Sequence, residues 1–528
     1  MKSKLYILTI AAALLFVGCD LNQEPGGSTI TENQYQEMDN VVEGTVKGVY
    51  SLLYAYGGEH DYFGQRSIDL FGDLLCGDVA MNTQRYGWFT DDAYGRTYQR
   101  AGYFWSYYYT IIRNCNKGIN ALDKQGRPEL NFDPKTITEE QYANGFYYAQ
   151  LLTIRGWAYS ALQRYFCKTP KQIQEEYGDI YSELSVPIYT EDATQGDSIL
   201  GAPRASAADV YMRVEEDLHT AIAYFEAFNQ MQRNSKLETN IDVARMTLAY
   251  SYLNKGEYDE ALAIAQDLIN NTTATILPNE EVLTDGFNDV ESHNWIWGQD
   301  VTIENTTSLA SFFGQVDIYS YSYASAGDVK GIDANLLSEI TKMGWDIREN
   351  WWGNYYRETK SSTYQYAPDG KFFSDESSDL QGDRNWLSDN VFMRIETAYL
   401  IAAEAAYSKA TPDYGLALSY LTQLTDQRVK PGKEEDYATY KMQLANNNST
   451  LKDAIRYNWR VELWGEGYGL QTFRRSGIAV TLGANQFRKD QSISPYTPIQ
   501  FTFVIPSSET NYNPFIRQTT EMVQKQHR

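Results

Sequence analysis

The feature that most constrains this chain is helical periodicity that stops once, for a long stretch, and then resumes. Apolar residues recur at helical spacing over residues 33–56, 105–122, 139–166, 207–228, 243–270, 392–428 and 451–464. In the segment from Phe392, the residues Ile395, Tyr399, Ala402, Ala403 and Ala406 fall at i, i+4, i+7, i+8 and i+11. That spacing gives one apolar stripe suited to packing on another helix. Two of the segments are related. Ala249, Tyr258 and Ala261 stand at offsets 0, 9 and 12, and Ala405, Tyr414 and Ala417 repeat those offsets. Each set is broken by turn-forming residues, Asn254-Lys255-Gly256-Glu257 in one and Ala410-Thr411-Pro412-Asp413 in the other.

Small residues let two helices approach closely, and a tyrosine covers the crossing. The pattern resembles the tetratricopeptide helix-turn-helix unit. Such units stack because one pair cannot bury its apolar face alone. Between the two units, residues 278–390 are rich in Gly, Asn, Asp, Ser and Tyr and show little helical periodicity. They hold six of the eleven tryptophans: Trp295, Trp297, Trp345, Trp351, Trp352 and Trp386. A structureless stretch of this length is improbable inside a domain unless it is functional or disordered, and the aromatic content opposes disorder. Residues 77–102 form a second such region, with Asn82, Arg85, Tyr86, Trp88, Tyr94, Arg96 and Tyr98. The expected fold class is mostly α: a tetratricopeptide-like helical repeat scaffold with long aromatic-rich loop excursions, where binding residues tend to concentrate.

Composition narrows the chemistry. The formal charge is −24, from 69 acidic and 45 basic residues. Nucleic-acid binding needs basic surface, so it is not expected, and an acidic substrate is disfavoured unless local charge is arranged otherwise. After Cys19 only Cys76, Cys115 and Cys167 remain, at no metal-binding spacing, and they read as small buried apolar residues. His60, His219, His293 and His527 are far apart in sequence. Neither a metal nor another cofactor is expected. The chain lacks Gly-x-Ser-x-Gly, a phosphate loop and a dinucleotide fingerprint. A glycosidase needs two carboxylates facing each other across a cleft, and adjacent acids such as Glu139-Glu140 do not indicate one. An enzyme is not expected.

The N-terminus reads as an export signal. Lys2 and Lys4 precede an apolar run over residues 5–17 that ends at Gly18-Cys19. A bilayer span needs roughly 20 apolar residues, whereas a secretory apolar region needs only about 7–15. Residues 1–18 are therefore expected to be a lipoprotein signal peptide. Phe16-Val17-Gly18-Cys19 resembles the bacterial lipobox, with Phe16 where Leu is usual, and Cys19 would be the diacylated residue. Residues 19–30 have the composition of a lipid-anchored tether, and residues 31–528 are expected to form a single domain.

The later motifs resemble, in order, those of the SusD/RagB family of nutrient-uptake lipoproteins. Cys19-Asp20-Leu21 with Pro25, the helix from Trp105 to Asn116, and Arg155-Gly-Trp-Ala-Tyr159 through Phe166 come first. Pro203-Arg204-Ala205-Ser206, Glu216-Asp217-Leu218 and Asp346-Ile-Arg348 follow. The most specific pieces are Arg394-Ile-Glu396 leading to Ala403-Glu404-Ala405, then Ile455-Arg456 and Arg460-Val-Glu-Leu-Trp-Gly-Glu-Gly467. Phe473-Arg474-Arg475, Val504-Ile-Pro-Ser-Ser-Glu509 and Asn513-Pro514 complete the set, while Trp464 and Tyr468-Gly469 depart modestly from the pattern. The resemblance implies a lipoprotein on the outer membrane, facing the cell exterior. It would cap a SusC-like TonB-dependent transporter and deliver to it oligomeric nutrients, most often an oligosaccharide or polysaccharide and sometimes peptides. It also implies four tetratricopeptide-like units. The alternative is an envelope protein–protein scaffold or peptide-binding lipoprotein that uses the helical repeats.

Sugar rings present flat C–H faces that aromatic rings cover, with hydroxyls that Asn, Asp, Gln and Arg can pair. By region, the family site implicates three stretches: Asn82, Arg85, Tyr86 and Trp88; Trp295, Trp297, Tyr319, Tyr321 and Tyr323; and Trp351, Trp352, Tyr355 and Tyr356. The expected ligand-binding set is Asn82, Arg85, Tyr86, Trp88, Trp295, Tyr319, Tyr321, Trp351, Trp352 and Tyr355. Trp88, Trp351 and Trp352, among polar neighbours, lead that set, whereas Trp297 and Trp345 are expected to pack. Trp105, Trp157, Trp459 and Trp464 are expected in the helical core. Arg394, Glu396, Glu404, Arg460, Glu462 and Glu466 are expected to make ion pairs that join helices.

Overall fold

The computed structural model describes residues 41–82, 85–89, 98–168, 185–191, 201–229, 235–372, 386–486 and 502–516. Cys19, the signal and tether segments, Tyr94 and Arg96 lie outside the described residues. By internal contacts the chain divides into Met1–Val41 and Val42–Arg528, and the fold is that of the second unit.

Helices α1 (Val41–Leu52), α2 (Gln65–Cys76), α3 (Tyr98–Gln125), α4 (Glu139–Phe166), α5 (Ala207–Ala227), α6 (Ile241–Lys255) and α7 (Tyr258–Asn271) form in chain order. From α3 to α7 each helix packs on the next. Helix starts are encoded locally. Thr138 accepts the Gln141 N–H at 3.1 Å while the Gln141 side chain accepts the Thr138 N–H at 3.1 Å, a reciprocal cap that satisfies two end donors of α4. Ser206 and Asp209 do the same for α5. The α6–α7 turn rests on Gly256, whose φ of 89° is left-handed and favours glycine.

The long insertion carries only short elements. After β1 (Val79–Met81) in the first loop region come β2 (Trp295–Gln299), α8 (Phe312–Val316), β3 (Lys330–Ile332), α9 (Ala334–Met343), a 3-10 turn (Ile347–Trp351), α10 (Asn354–Thr359) and β4 (Asn390–Arg394). Strand β1 pairs antiparallel with β3, Val79 opposite Ile332, and β2 pairs antiparallel with β4. The first of these ladders ties together the two loop regions that the sequence sets apart. The second overturns one expectation: the helical segment expected from Phe392 begins as β4, because it completes the ladder with β2, and turns helical only at Glu396.

Helices α11 (Glu396–Ser408), α12 (Tyr414–Thr425), α13 (Glu434–Asn446), α14 (Asn448–Glu462) and α15 (Gly469–Ser476) follow. Helix α7 packs directly on α11, so the two related hairpins, α6/α7 and α11/α12, stack although the insertion separates them in sequence. Ala249, Ala261, Ala405 and Ala417 are fully buried. Tyr258 and Tyr414 open the second helix of each hairpin. The mostly helical, tetratricopeptide-like class holds. Trp105, Trp157, Trp297, Trp345 and Trp459 are buried as expected, and so is Trp464, though it lies just past the end of α14.

The charged motif residues close the core. Glu462 on α14 receives Arg394 at 2.8 Å, Arg428 at 2.8 Å and Arg348 at 3.0 Å. Glu466 pairs with Arg394 at 2.9 Å and Lys371 at 2.8 Å. Nearer the surface, Arg460 meets Asp78 at 2.7 Å and Arg475 meets Glu404 at 2.8 Å. Burial alone would push the Glu462 carboxyl up, but Arg428, Arg394 and Arg348 hold it well below the usual carboxylate range. A carboxylate facing several guanidiniums in a dry interior binds its segments together, because stranding any member costs several kcal/mol, roughly 3–5.

Candidate ligand-binding site

Three segments far apart in sequence meet at one aromatic surface. The first is the turn after α1. Gly57 N–H donates to Tyr62 O at 2.8 Å, and Tyr56 bridges to Phe63, so a tight loop carries Tyr56 and His60 at its rim. The buried Gln315 of α8 pins that turn by donating to the His60 carbonyl at 2.9 Å. The second segment continues from β1. Asn82 N–H donates to Val329 O at 3.2 Å and Arg85 N–H to Asp328 Oδ1 at 3.3 Å. Phe89 anchors its end: it is fully buried, its φ is 64°, and its N–H donates to Asp61, which is ion-paired to Arg100. The third runs from α8 to β3, where Ser311 caps α8, Tyr323 N–H donates to Gly314 O at 2.9 Å and Asp328 N–H returns to Tyr323 O at 2.9 Å.

Their rings converge. The His60 imidazole and the Trp88 indole stack at 5.0 Å with only 10° between planes. Tyr323 lies 6.2 Å from Trp88 and 5.0 Å from Tyr86, and its hydroxyl meets His60 Nδ1 at 2.7 Å. Tyr56 sets its edge against His60. Tyr56, Tyr86 and Tyr321 are 53%, 48% and 62% exposed, large areas for tyrosines held on a structured loop. The Arg85 guanidinium donates to the Ala326 carbonyl beside this surface. Below it, Lys330 pairs with Asp328 at 3.4 Å, and burial draws its ammonium below the ordinary lysine range. The result is a half-exposed platform of flat rings on a buried polar footing.

The expected binding residues separate into three groups. Arg85, Tyr86 and Trp88 come together at this platform with Tyr323, and the exposed Tyr321 stands two residues before Tyr323 in the same segment. Asn82 stands at its base, its side-chain oxygen accepting from Asn485 at 2.9 Å. Tyr319 and Tyr355 pack with Tyr364 into a small aromatic core of the insertion, Tyr319 and Tyr364 buried and Tyr355 partly so. Trp295, Trp351 and Trp352, in contrast, are buried to within 1% and are not surface platforms. The Trp295 indole N–H donates to Gly286 O at 2.8 Å, and that of Trp351 to Val282 O at 2.8 Å. Trp352 lies edge-on against Trp351 and Trp464. The polar neighbours of Trp351 and Trp352 mislead because Asp346-x-Arg348 draws their turn inward. Asp346 caps the 3-10 turn and grips Arg348 at 2.7 Å, while Arg348 reaches Glu462.

Tyr56 and His60 were missed by sequence reasoning, which read residues 33–56 as one helical segment. The available signal was the run Tyr56-Gly57-Gly58-Glu59-His60, a glycine-pair turn set among aromatics. A second concavity lies inside, lined by Asp69, Arg164, Tyr250, Glu466 and Tyr468 among others, but its volume of about 30 Å³ admits a few waters and no sugar ring. Among the described residues no group of three His, Cys, Asp or Glu side chains could hold a metal ion.

A model of the SusD family matches residues 223–519. The chain belongs to the SusD family. Members of known structure share its fold. A SusD superfamily protein from Bacteroides thetaiotaomicron VPI-5482 is 20% identical, with a TM-score of 0.69 over 93% of this chain and 99% of that one. A SusD-like carbohydrate binding protein from Bacteroides vulgatus ATCC 8482 is 19% identical, with a TM-score of 0.67 over 90% and 96%. A SusD superfamily protein from Bacteroides fragilis is 19% identical, with a TM-score of 0.65 over 90% and 98%. A comparison with curated proteins finds no match. In this SusD family member the motif residues Asp346, Arg348, Arg394, Glu396, Glu462 and Glu466 are all buried in the ion-pair core. The platform, in contrast, is built by loop residues outside those motifs.

Proposed function

We propose that this protein is a glycan-binding lipoprotein of the outer-membrane surface that captures an oligosaccharide or polysaccharide and hands it to a TonB-dependent transporter. The observation that carries this reading is the convergence of Tyr56, His60, Tyr86, Trp88 and Tyr323 from three separate segments. Flat, rigid, half-exposed rings suit the C–H faces of sugars at low entropic cost. The charge of −24 favours a neutral glycan over an anionic one. A solved relative is itself described as a SusD-like carbohydrate binding protein. Lipidation at Cys19 supplies the anchor, and none of the described helices is long and apolar enough to cross a membrane. The tether would hold the platform near its transporter at high effective concentration.

Affinity electrophoresis of the chain from residue 20 through gels containing amylopectin, galactomannan or arabinoxylan tests the reading. Retardation by one polymer, lost in Trp88→Ala, is the expected outcome. Free migration in all three, with binding to peptides instead, overturns it in favour of a peptide-binding scaffold. Cys19→Ala should shift the protein from the membrane to the soluble fraction.

A further inference from the structure

The internal cavity has more hydrogen-bond donors in its wall than acceptors to meet them. It lies where α4, α6, β4 and the turn between α14 and α15 come together, and Ser160, Arg164, Tyr250 and Tyr468 are among its lining residues. Arg164 Nε and the Tyr250 hydroxyl are buried without a hydrogen-bond partner. The hydroxyls of Ser160 and Tyr468 donate to none of the described residues. The acceptors of the same wall are already engaged. Asp69 Oδ1 accepts from Gln65 at 2.7 Å and Oδ2 from Arg66 at 3.1 Å. Glu466 is held by Arg394 at 2.9 Å and Lys371 at 2.8 Å. The Gln65 oxygen accepts from Tyr108 at 3.0 Å.

Charge shows the same surplus. Arginine stays protonated in proteins, and a charge taken out of water is costly unless it is paired. Among the described residues no carboxylate forms an ion pair with Arg164. Its guanidinium lies 5.4 Å from the centre of the Tyr250 ring, and Asp69 acts on it only from across the cavity. Asp69 is offset by Arg66, and Glu466 belongs to the buried core in which carboxylates and cations already face each other. Asp73, behind Asp69, turns its oxygens to the N–H groups of Gly465, Gly467 and Gly469.

We propose that this cavity binds one small monovalent anion of chloride type, held by the Arg164 guanidinium with the Tyr250 and Tyr468 hydroxyls as further donors. Water would meet those donors and leave the charge unpaired. A divalent oxyanion would overshoot it and set a second negative charge beside Asp69 and Glu466. The volume of about 30 Å³ takes a monatomic ion. Bound there, the ion ties α4 to α6 and to the start of α15, so halide should stabilise the scaffold by mass action. The site shares no residue with the aromatic platform, and its fate is independent of the glycan reading.

Halide-free crystals of the chain from residue 20, soaked in sodium bromide and measured at the bromine absorption edge, should show an anomalous peak within hydrogen-bond distance of Arg164. In solution, Tm should rise by about 1 °C for each tenfold increase in chloride once the site fills. Sodium gluconate at equal ionic strength, an anion too large to enter, sets the baseline. Arg164→Met keeps the stem, removes the charge and should abolish the chloride-specific rise. Tyr250→Phe removes one donor and should raise the chloride concentration of half effect about tenfold. Ordered water with no bromide peak in the cavity, or equal responses to the two salts, overturns the site. A chloride response that persists in Arg164→Met overturns the role of its guanidinium. Should that variant fail to fold, the wild-type bromide map decides alone.

Discussion

Two tryptophan-bearing loops of this protein look alike in sequence and do opposite things. Trp88 sits beside Arg85, Tyr86 and Gly87, and Trp351-Trp352 sit beside Asn350, Gly353 and Asn354. Yet Trp88 is half-exposed on a ring platform, whereas Trp351 and Trp352 are sealed in the core. What separates them is the anchor at the segment's end. The Trp88 segment is held by β1–β3 pairing on one side and Phe89 on the other, which leaves the loop between them on the surface. The Trp351 turn is pulled inward by Arg348, whose guanidinium is bound by Glu462, Asp346 and Asn458 in the interior. Local polarity therefore misjudges exposure when a nearby charge has its partner in the interior. A buried ion pair fixes where the backbone goes, and the intervening aromatics follow.

The comparison is most directly broken at its anchor. Glu462→Gln removes the carboxylate shared by Arg348, Arg394 and Arg428. It should destabilise the protein by about 3–5 kcal/mol, read as a large fall in Tm or failure to accumulate folded protein. Trp351→Ala should cost a similar or somewhat smaller amount, about 3–5 kcal/mol for a buried large-to-small change. Chemical denaturation would read that loss, with glycan retardation per folded molecule unchanged. Trp88→Ala should do the reverse. Binding should fall by about 2 kcal/mol, the scale of an aromatic anchor, while Tm moves little. If Trp88→Ala and Trp351→Ala lose stability equally, the division between platform and core fails.

The smallest effect concerns pH. Burial, then the proximity of Asp78, raises the Asp73 carboxyl to about 7, and burial raises Asp69 to about 6 against the pull of Arg66. Groups raised on folding contribute stability that is complete below the ordinary carboxylate pKa of ~4 and is lost as pH rises through the folded values. Glu462 and Glu466 are held low by their cations, and their contribution is lost as pH falls below ~4. Stability should therefore peak at about pH 4 and decline from there to about pH 7, as followed by Tm. Asp73→Asn should flatten part of that decline, while leaving one oxygen to accept from Gly465 and Gly467 and removing the acceptor of Gly469.

Much of the scaffold was legible from local pattern alone. The alanine–tyrosine offsets marked hairpins that do stack, because small residues at a helix crossing act within a few turns of chain. The motif charges were legible as ion pairs, since a run of Arg and Glu on apolar helices must be paired to be buried. The site was legible in part. Arg85, Tyr86 and Trp88 do share a surface, but Trp295, Trp351 and Trp352 are buried, Tyr56 had been absorbed into a helical segment that ends at Leu52, and His60 stood out only as an isolated histidine.

The sequence by itself determined that this chain is a helical repeat scaffold of the SusD family with aromatic loops, because periodicity, turn-forming residues and ordered motifs are local properties. Only the tertiary structure decided which aromatics form the platform. That choice depends on the pairing of Val79 with Ile332 and on which side of Glu462 the Asp346-Ile-Arg348 turn is drawn. Both contacts join residues more than a hundred positions apart, and no local pattern of hydrophobicity or turn chemistry records them.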